Sequence, residues 1–183
     1  MKRLLMWMTL LATLLLAACA SLIGPRDVEV PQARLQESLE RRFPFNQRYL
    51  GLFDVSAVNP RVALLPDQNR ISAAMDLAVR PIIGSGTGMR GSLTVSGVPR
   101  VDAARGELLL GEPRVDELNI DGLERGLGSQ LAGITSFLAQ TLIGDLPVYR
   151  FAPETLRYAG VSFTPVKIAT RSDRVVVTFA PVK

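Results

Sequence analysis

From Ile71 to Arg80 the side chains alternate without a break. Ile71, Ala73, Met75, Leu77 and Val79 are apolar, and Ser72, Ala74, Asp76, Ala78 and Arg80 between them are small or polar. A period of two belongs to a strand with one buried and one wet face. The pattern recurs on both sides. Phe53, Val55 and Ala57 alternate with Asp54 and Ser56, and the alternation resumes at Val62 and Leu64 after Asn59-Pro60. Met89, Leu93 and Val95 alternate with Arg90, Ser92, Thr94 and Ser96. Long strands with one polar face predict an antiparallel sheet. Leu108 and Leu110, then Val115, Leu118 and Ile120, continue it, but the apolar phase slips between Val115 and Leu118. A slip of that kind predicts a bulge, and bulges bend strands, so the sheet is expected to be strongly curved.

Two stripes of helical period accompany the strands. Leu35, Leu39 and Phe43 recur every four residues among Glu37, Glu40, Arg41 and Arg42, between Pro31 and Pro44. That spacing predicts a short amphipathic helix, with Pro31 in its first turn and Pro44 at its end. The second stripe is Leu127, Leu131, Ile134, Leu138 and Leu142, widened by Ala132, Phe137 and Ile143. Asp121 and Glu124 form a capping-box-like start, and Gly144 and Pro147 a stop. No charge falls between positions 126 and 143, so a long, heavily covered helix is predicted. Val148 to Phe151 reads as extended and Pro153 to Tyr158 as a helical turn. A strand through Val161, Phe163, Val166 and Ile168 switches phase at Pro165, and Val175, Val177 and Phe179 make the last strand. The expected class is α+β: a strongly curved antiparallel β-sheet wrapped around a long C-terminal-half helix, plus a short N-terminal amphipathic helix.

The start of the chain predicts an address. Lys2 and Arg3 precede an apolar run from Leu4 to Leu16, and Leu16-Ala17-Ala18-Cys19 follows the pattern of a bacterial lipobox. Ala18 and Cys19 flank the expected cleavage point, and the Cys19 thiol is the expected acceptor of diacylglycerol. The run is too short for a comfortable span of about 20 residues. A lone free thiol in an oxidising compartment would be a liability. One acyl chain anchors only marginally, at about 0.8 kcal/mol per buried CH₂, so stable anchoring takes two or three. Neither Ala20 nor Ser21 is the Asp that retains enterobacterial lipoproteins in the inner membrane. The expected location is therefore the cell outer membrane, on its periplasmic face. The chain of 183 residues then divides into a signal peptide over 1–18, a lipidated tether over 19–30 and a single α+β domain over 31–183.

Composition removes several kinds of chemistry. The sequence has no histidine and a single cysteine. The Ser-His-Asp and Cys-His constellations lack their imidazole, and zinc sites built on His or Cys lack their ligands. The chain is expected to be no enzyme, with no catalytic residues, cofactor or metal. Its net charge is +4, and Lys2 and Arg3 account for part of that. The charges are interspersed, which is no nucleic-acid signature. The single tryptophan, Trp7, lies in the predicted leader. Gly86-Thr87-Gly88-Met89-Arg90-Gly91 spells G-x-G-x-x-G, but a strand follows where a dinucleotide site needs a helix, so a hairpin loop is predicted. Asp116, Glu117, Asp121 and Glu124 form an acidic cluster without calcium-loop spacing, and a solvated face is predicted.

The stretches Leu35 to Phe45 and Gly51 to Val55, the hairpin Leu93 to Gly111, the region Ile120 to Leu146 and the closing Val177-Thr178-Phe179 resemble the YceB-like family of bacterial lipoproteins. That family looks like a single half of the tubular lipid-binding architecture of bactericidal permeability-increasing protein. The resemblance implies a lipid or other hydrophobic ligand and carries over no catalytic residues. From periodicity, Met75, Leu77, Leu93 and Val95 of the sheet would face Leu127, Leu131, Ile134, Leu138 and Leu142 of the helix. Those residues would line an apolar groove or, equally, a plain core, since the two share one composition. Met89 would be a further adaptable lining residue. The expected partners are the membrane, through the acyl chains, and a lipid or apolar ligand. The alternative is a tethered cell-envelope module with a closed core that docks an envelope protein through a strand edge or the Leu35/Leu39/Phe43 helix.

Overall fold

The computed structural model describes residues 24–49, 51, 53–82, 88–121, 147–158 and 160–182. Strands β1 (Arg26–Pro31), β2 (Phe45–Tyr49), β3 (Phe53–Leu65), β4 (Arg70–Pro81), β5 (Met89–Asp102) and β6 (Glu107–Ile120) lead to β7 (Pro147–Arg150), β8 (Arg157–Tyr158), β9 (Val161–Thr170) and β10 (Arg174–Pro181). Helix α1 spans Gln32–Glu40 and α2 spans Pro153–Leu156.

The strands form two sheets. One is an antiparallel meander of six in sequence order, β2-β3-β4-β5-β6-β7. The other has four strands in the order β1-β10-β9-β8, so the first strand of the described chain pairs with the last. Arg26 lies opposite Phe179 and Val30 opposite Val175. Apolar side chains of both sheets and of α1 share one core, with Val30, Leu35, Leu39, Met75, Leu93, Val175, Val177 and Phe179 among its fully buried members.

This corrects the expected α+β class. The described chain is dominated by strand, and its longest helix, α1, has nine residues. The predicted stripe Leu127, Leu131, Ile134, Leu138 and Leu142 lies outside the described residues, so no long helix stands at the centre of the described fold. Instead of one sheet around a helix there are two, because β9 and β10 pair with β1 and do not extend the meander. Residues 26 to 30, within the expected tether, are strand: Val28 and Val30 face inward, and Arg26, Asp27 and Glu29 lend the segment its polar look.

The predicted irregularities appear where the phase slips. Thr94 pairs Glu117 while Val95 pairs Val115, so Asp116 is the extra residue between Val115 and Leu118. Thr178 pairs Lys167 while Phe179 pairs Pro165, so Val166 bulges out and is exposed. A third slip lies between Val58 and Arg61, at Asn59-Pro60, where Asn59 takes a φ of 53°.

Helix α1 explains how the bulged strand β3 is tolerated. β2 pairs β3 only from Phe53 to Ala57, so the rest of that edge needs other partners. Gln36 supplies them: its Oε1 accepts from the Val62 amide at 2.7 Å and its Nε2 donates to the Pro60 carbonyl at 2.6 Å. Gln32 donates to the Val62 carbonyl at 2.9 Å. Gln32 and Gln36 are one turn apart on the same face, while Leu35 and Leu39 point into the core. Arg70 does similar work at the β5–β6 irregularity, donating to the Ser96 and Glu112 carbonyls at 2.9 and 2.7 Å. Asn69, left-handed at φ 49°, ties the two sheets by accepting from the Thr170 amide at 2.7 Å.

Candidate functional site

Strand alternation places one set of side chains from β3 to β6 on the inner face of the meander, and register orders them in rows. Val55, Val79 and Met89 form one row, Ala57, Leu77, Gly91 and Ile120 the next, and Met75, Leu93 and Leu118 a third. Val62, Ala73, Val95 and Val115 complete the series. Of the residues predicted to line a groove, Met75, Leu77, Leu93 and Val95 are therefore brought together. Met75 faces Leu93 across the β4–β5 pair, and all four are at most 3% exposed. Their predicted partners Leu127, Leu131, Ile134, Leu138 and Leu142, and the attachment and cleavage residues Cys19 and Ala18, lie outside the described residues.

Burial is uneven across the rows. Met75, Leu93 and Val95 are closed off, whereas Val115, Leu118 and Ile120 on β6 are only half-buried, as are Met89 and Phe53 at the same end of the sheet. Among the described residues β6 is paired on its outer side only from Glu107 to Leu109, by β7. The inner face thus runs from a sealed apolar floor to an apolar margin along β6. Val115 and Leu118 were missed as lining residues because the extra residue Asp116 puts them out of step with each other. Corrected for that bulge, both fall opposite predicted residues, Val95 and Leu93.

The last glycine of G-x-G-x-x-G belongs to this surface and not to a phosphate cradle. Gly91 sits within β5, and a Cβ there would run into the Asn119 carbonyl of β6. A glycine inside a strand marks such a close backbone approach. Gly88 precedes the strand, and Gly86 and Thr87 lie outside the described residues.

The outer face carries ion pairs and a polar hollow. Asp76 accepts from the Asn59 amide at 2.8 Å and from Arg61 at 3.0 Å. The Asn59 bond, then Arg61, holds its carboxyl below the usual range. A hollow of about 600 Å³ is lined by Asn46, Arg48, Asp54, Ser56, Ala78 and Arg80, with Arg48 and Asp54 paired at 3.2 Å. A second, of about 560 Å³, lies between Phe43-Pro44 and the Pro60 bulge. In the acidic cluster Asp116 pairs with Arg114 at 2.6 Å and Glu117 accepts from Asn119 at 2.7 Å, while Glu124 lies outside the described residues. Among the described residues no three carboxylates or thiols converge on a point that would hold a metal ion.

Residues 30–174 match a family model described as "Protein of unknown function (DUF1439)", and the chain belongs to that family. Among solved structures the chain is similar to one described as "Crystal structure of lipopolysaccharide binding protein", at 9% identity and a TM-score of 0.39. That likeness covers 85% of this chain and 40% of the other, so the chain spans about two fifths of that protein's length. No curated protein matches.

Proposed function

We propose that this DUF1439 member is a non-enzymatic lipoprotein of the outer membrane. It faces the periplasm on acyl chains carried by Cys19 and binds a lipid or other hydrophobic ligand against the inner face of the six-stranded sheet. The finer kinship to YceB-like lipoproteins, and through them to a half of the tubular lipid-binding architecture, is part of the same proposal. One observation carries it: the apolar floor at Met75 and Leu93 continues through Leu118 to a half-buried margin on β6. A packed core with no other purpose gains nothing from half-wet leucine and valine beside a sealed floor. A ligand chain laid along that margin would contribute about 0.8 kcal/mol for each methylene removed from water.

The test is native mass spectrometry on the mature chain without its anchor, exported to a bacterial periplasm and purified without detergent. Added mass that dissociates as phospholipid or fatty acid is expected. Leu118→Asp should reduce it about tenfold, the effect of roughly 1.4 kcal/mol on binding. A clean mass that stays clean after incubation with envelope lipids would overturn ligand binding and favour a tethered module that docks an envelope protein.

A further inference from the structure

Four large apolar side chains are exposed among the described residues: Ile82, Tyr158, Val166 and Val182. Val166 is explained by its bulge. Tyr158, 60% exposed, and Val182, 55% exposed, lie at the same end of the four-stranded sheet, one on each face. Tyr158 pairs Val161, and the Val182 amide donates to the neighbouring Ser162 carbonyl at 2.8 Å. The exposed Arg157 lies opposite Ser162. The same end is where β1 begins, at Arg26. Its guanidinium lies 4.1 Å from the Phe163 ring centroid and 5.7 Å from that of Tyr158. It also donates to the Glu154 and Thr155 carbonyls at the end of α2. Arg26 thus fastens the entry of the chain to the rim that bears Tyr158.

Cys19 precedes Arg26 by a stretch that spans roughly 25 Å at full extension. An anchor so close to Arg26 keeps this rim within reach of the membrane surface, whereas Ile82 sits at the far end of the meander. The hairpin joining β5 and β6 lies at the Arg26 end, because a Cβ on Gly106 would meet Leu156 and the Gly106 carbonyl accepts from the Phe151 amide. The 14 residues of β6 then run about 45 Å to the Ile120 end, beside Pro81 and Met89. A tyrosine, an aliphatic residue and an arginine on one rim have the chemistry of the membrane–water interface, where amphipathic rings and snorkelling cations settle.

We propose that the rim formed by Tyr158, Val182 and Arg157 rests in the interfacial layer of the bilayer that holds the anchor, which sets the domain upright with Ile82 pointing away. The contact rests on the anchored form proposed above.

The full chain is expressed with its leader in a bacterium, and the acylated protein is placed in vesicles of phosphatidylethanolamine and phosphatidylglycerol that contain brominated lipid. Because Trp7 is the only tryptophan and lies in the leader, a single introduced tryptophan reports its own depth. Tyr158→Trp and Val182→Trp are expected to lose emission to the bromines, and Ile82→Trp to keep it. No loss at any of the three positions in acylated protein, or loss at Ile82→Trp alone, overturns the rim contact and leaves the anchor standing. An intact mass without acyl chains on Cys19 overturns the anchored form and the rim contact with it.

Discussion

At the scale of single residues, two glycines of one motif have opposite duties. A Cβ on Gly88 would meet the Cγ of Arg80 at 3.2 Å, which needs a shift of a few tenths of an ångström, and the Val79 carbonyl at an ordinary 3.5 Å. A Cβ on Gly91 would meet the Asn119 carbonyl and the Ile120 Cα, which belong to the paired backbone of β6. Gly88→Ala is therefore expected to leave stability within about 0.5 kcal/mol. Gly91→Ala should cost about 2 kcal/mol or more, because the strands must part to admit the methyl. Urea denaturation of the two variants checks the difference. If both prove neutral, the β5–β6 approach is looser than described.

At the scale of elements, α1 acts as the missing neighbour of a strand. Val62 on the unpaired side of β3 has both its amide and its carbonyl satisfied by glutamine side chains. Gln36→Ala should free the Val62 amide and the Pro60 carbonyl and cost about 1–2 kcal/mol. Faster hydrogen exchange at Val62, with the rest of the sheet unchanged, is the expected signature. The strands themselves were legible because alternation survives in sequence, and two bulges were legible because Val115/Leu118 and Phe163/Val166 break it. Four of the predicted lining residues share one phase on adjacent strands, and for that reason they meet. β2, Phe45–Tyr49, escaped because only Phe45 and Tyr49 in it are apolar, too sparse a pattern to read. β1 escaped because three of its residues are charged and its partner lies at the other end of the chain. Pairing over that distance leaves no local period, so one sheet was expected where two exist.

At the scale of the whole molecule, acid is the condition to which stability should respond. Asp76 is held low first by the Asn59 amide, Asp102 by the Arg105 backbone amide and Asp173 by the Arg174 side chain. A carboxylate whose folded value is depressed stabilises the fold above its unfolded value and loses that contribution as pH falls through the folded one. Stability is expected to be level between about pH 5 and 8, since no histidine titrates there. It should fall below the ordinary aspartate value of 3.8. Thermal unfolding against pH should show a shallower acid limb in Asp76→Asn. An unchanged limb would show that the Asn59 and Arg61 contacts do not survive in solution.

The pairing of β1 with β10 has a consequence in time. Arg26 cannot find Phe179, nor Val30 find Val175, until nearly the whole chain has left the ribosome. The meander can form from neighbours, but the sheet beside the proposed anchor waits for the last strand. Contacts of such sequence separation form slowly. For a chain exported as proposed, that delay withholds the closing step until β10 has emerged, so passage across the inner membrane can precede the fold that would obstruct it.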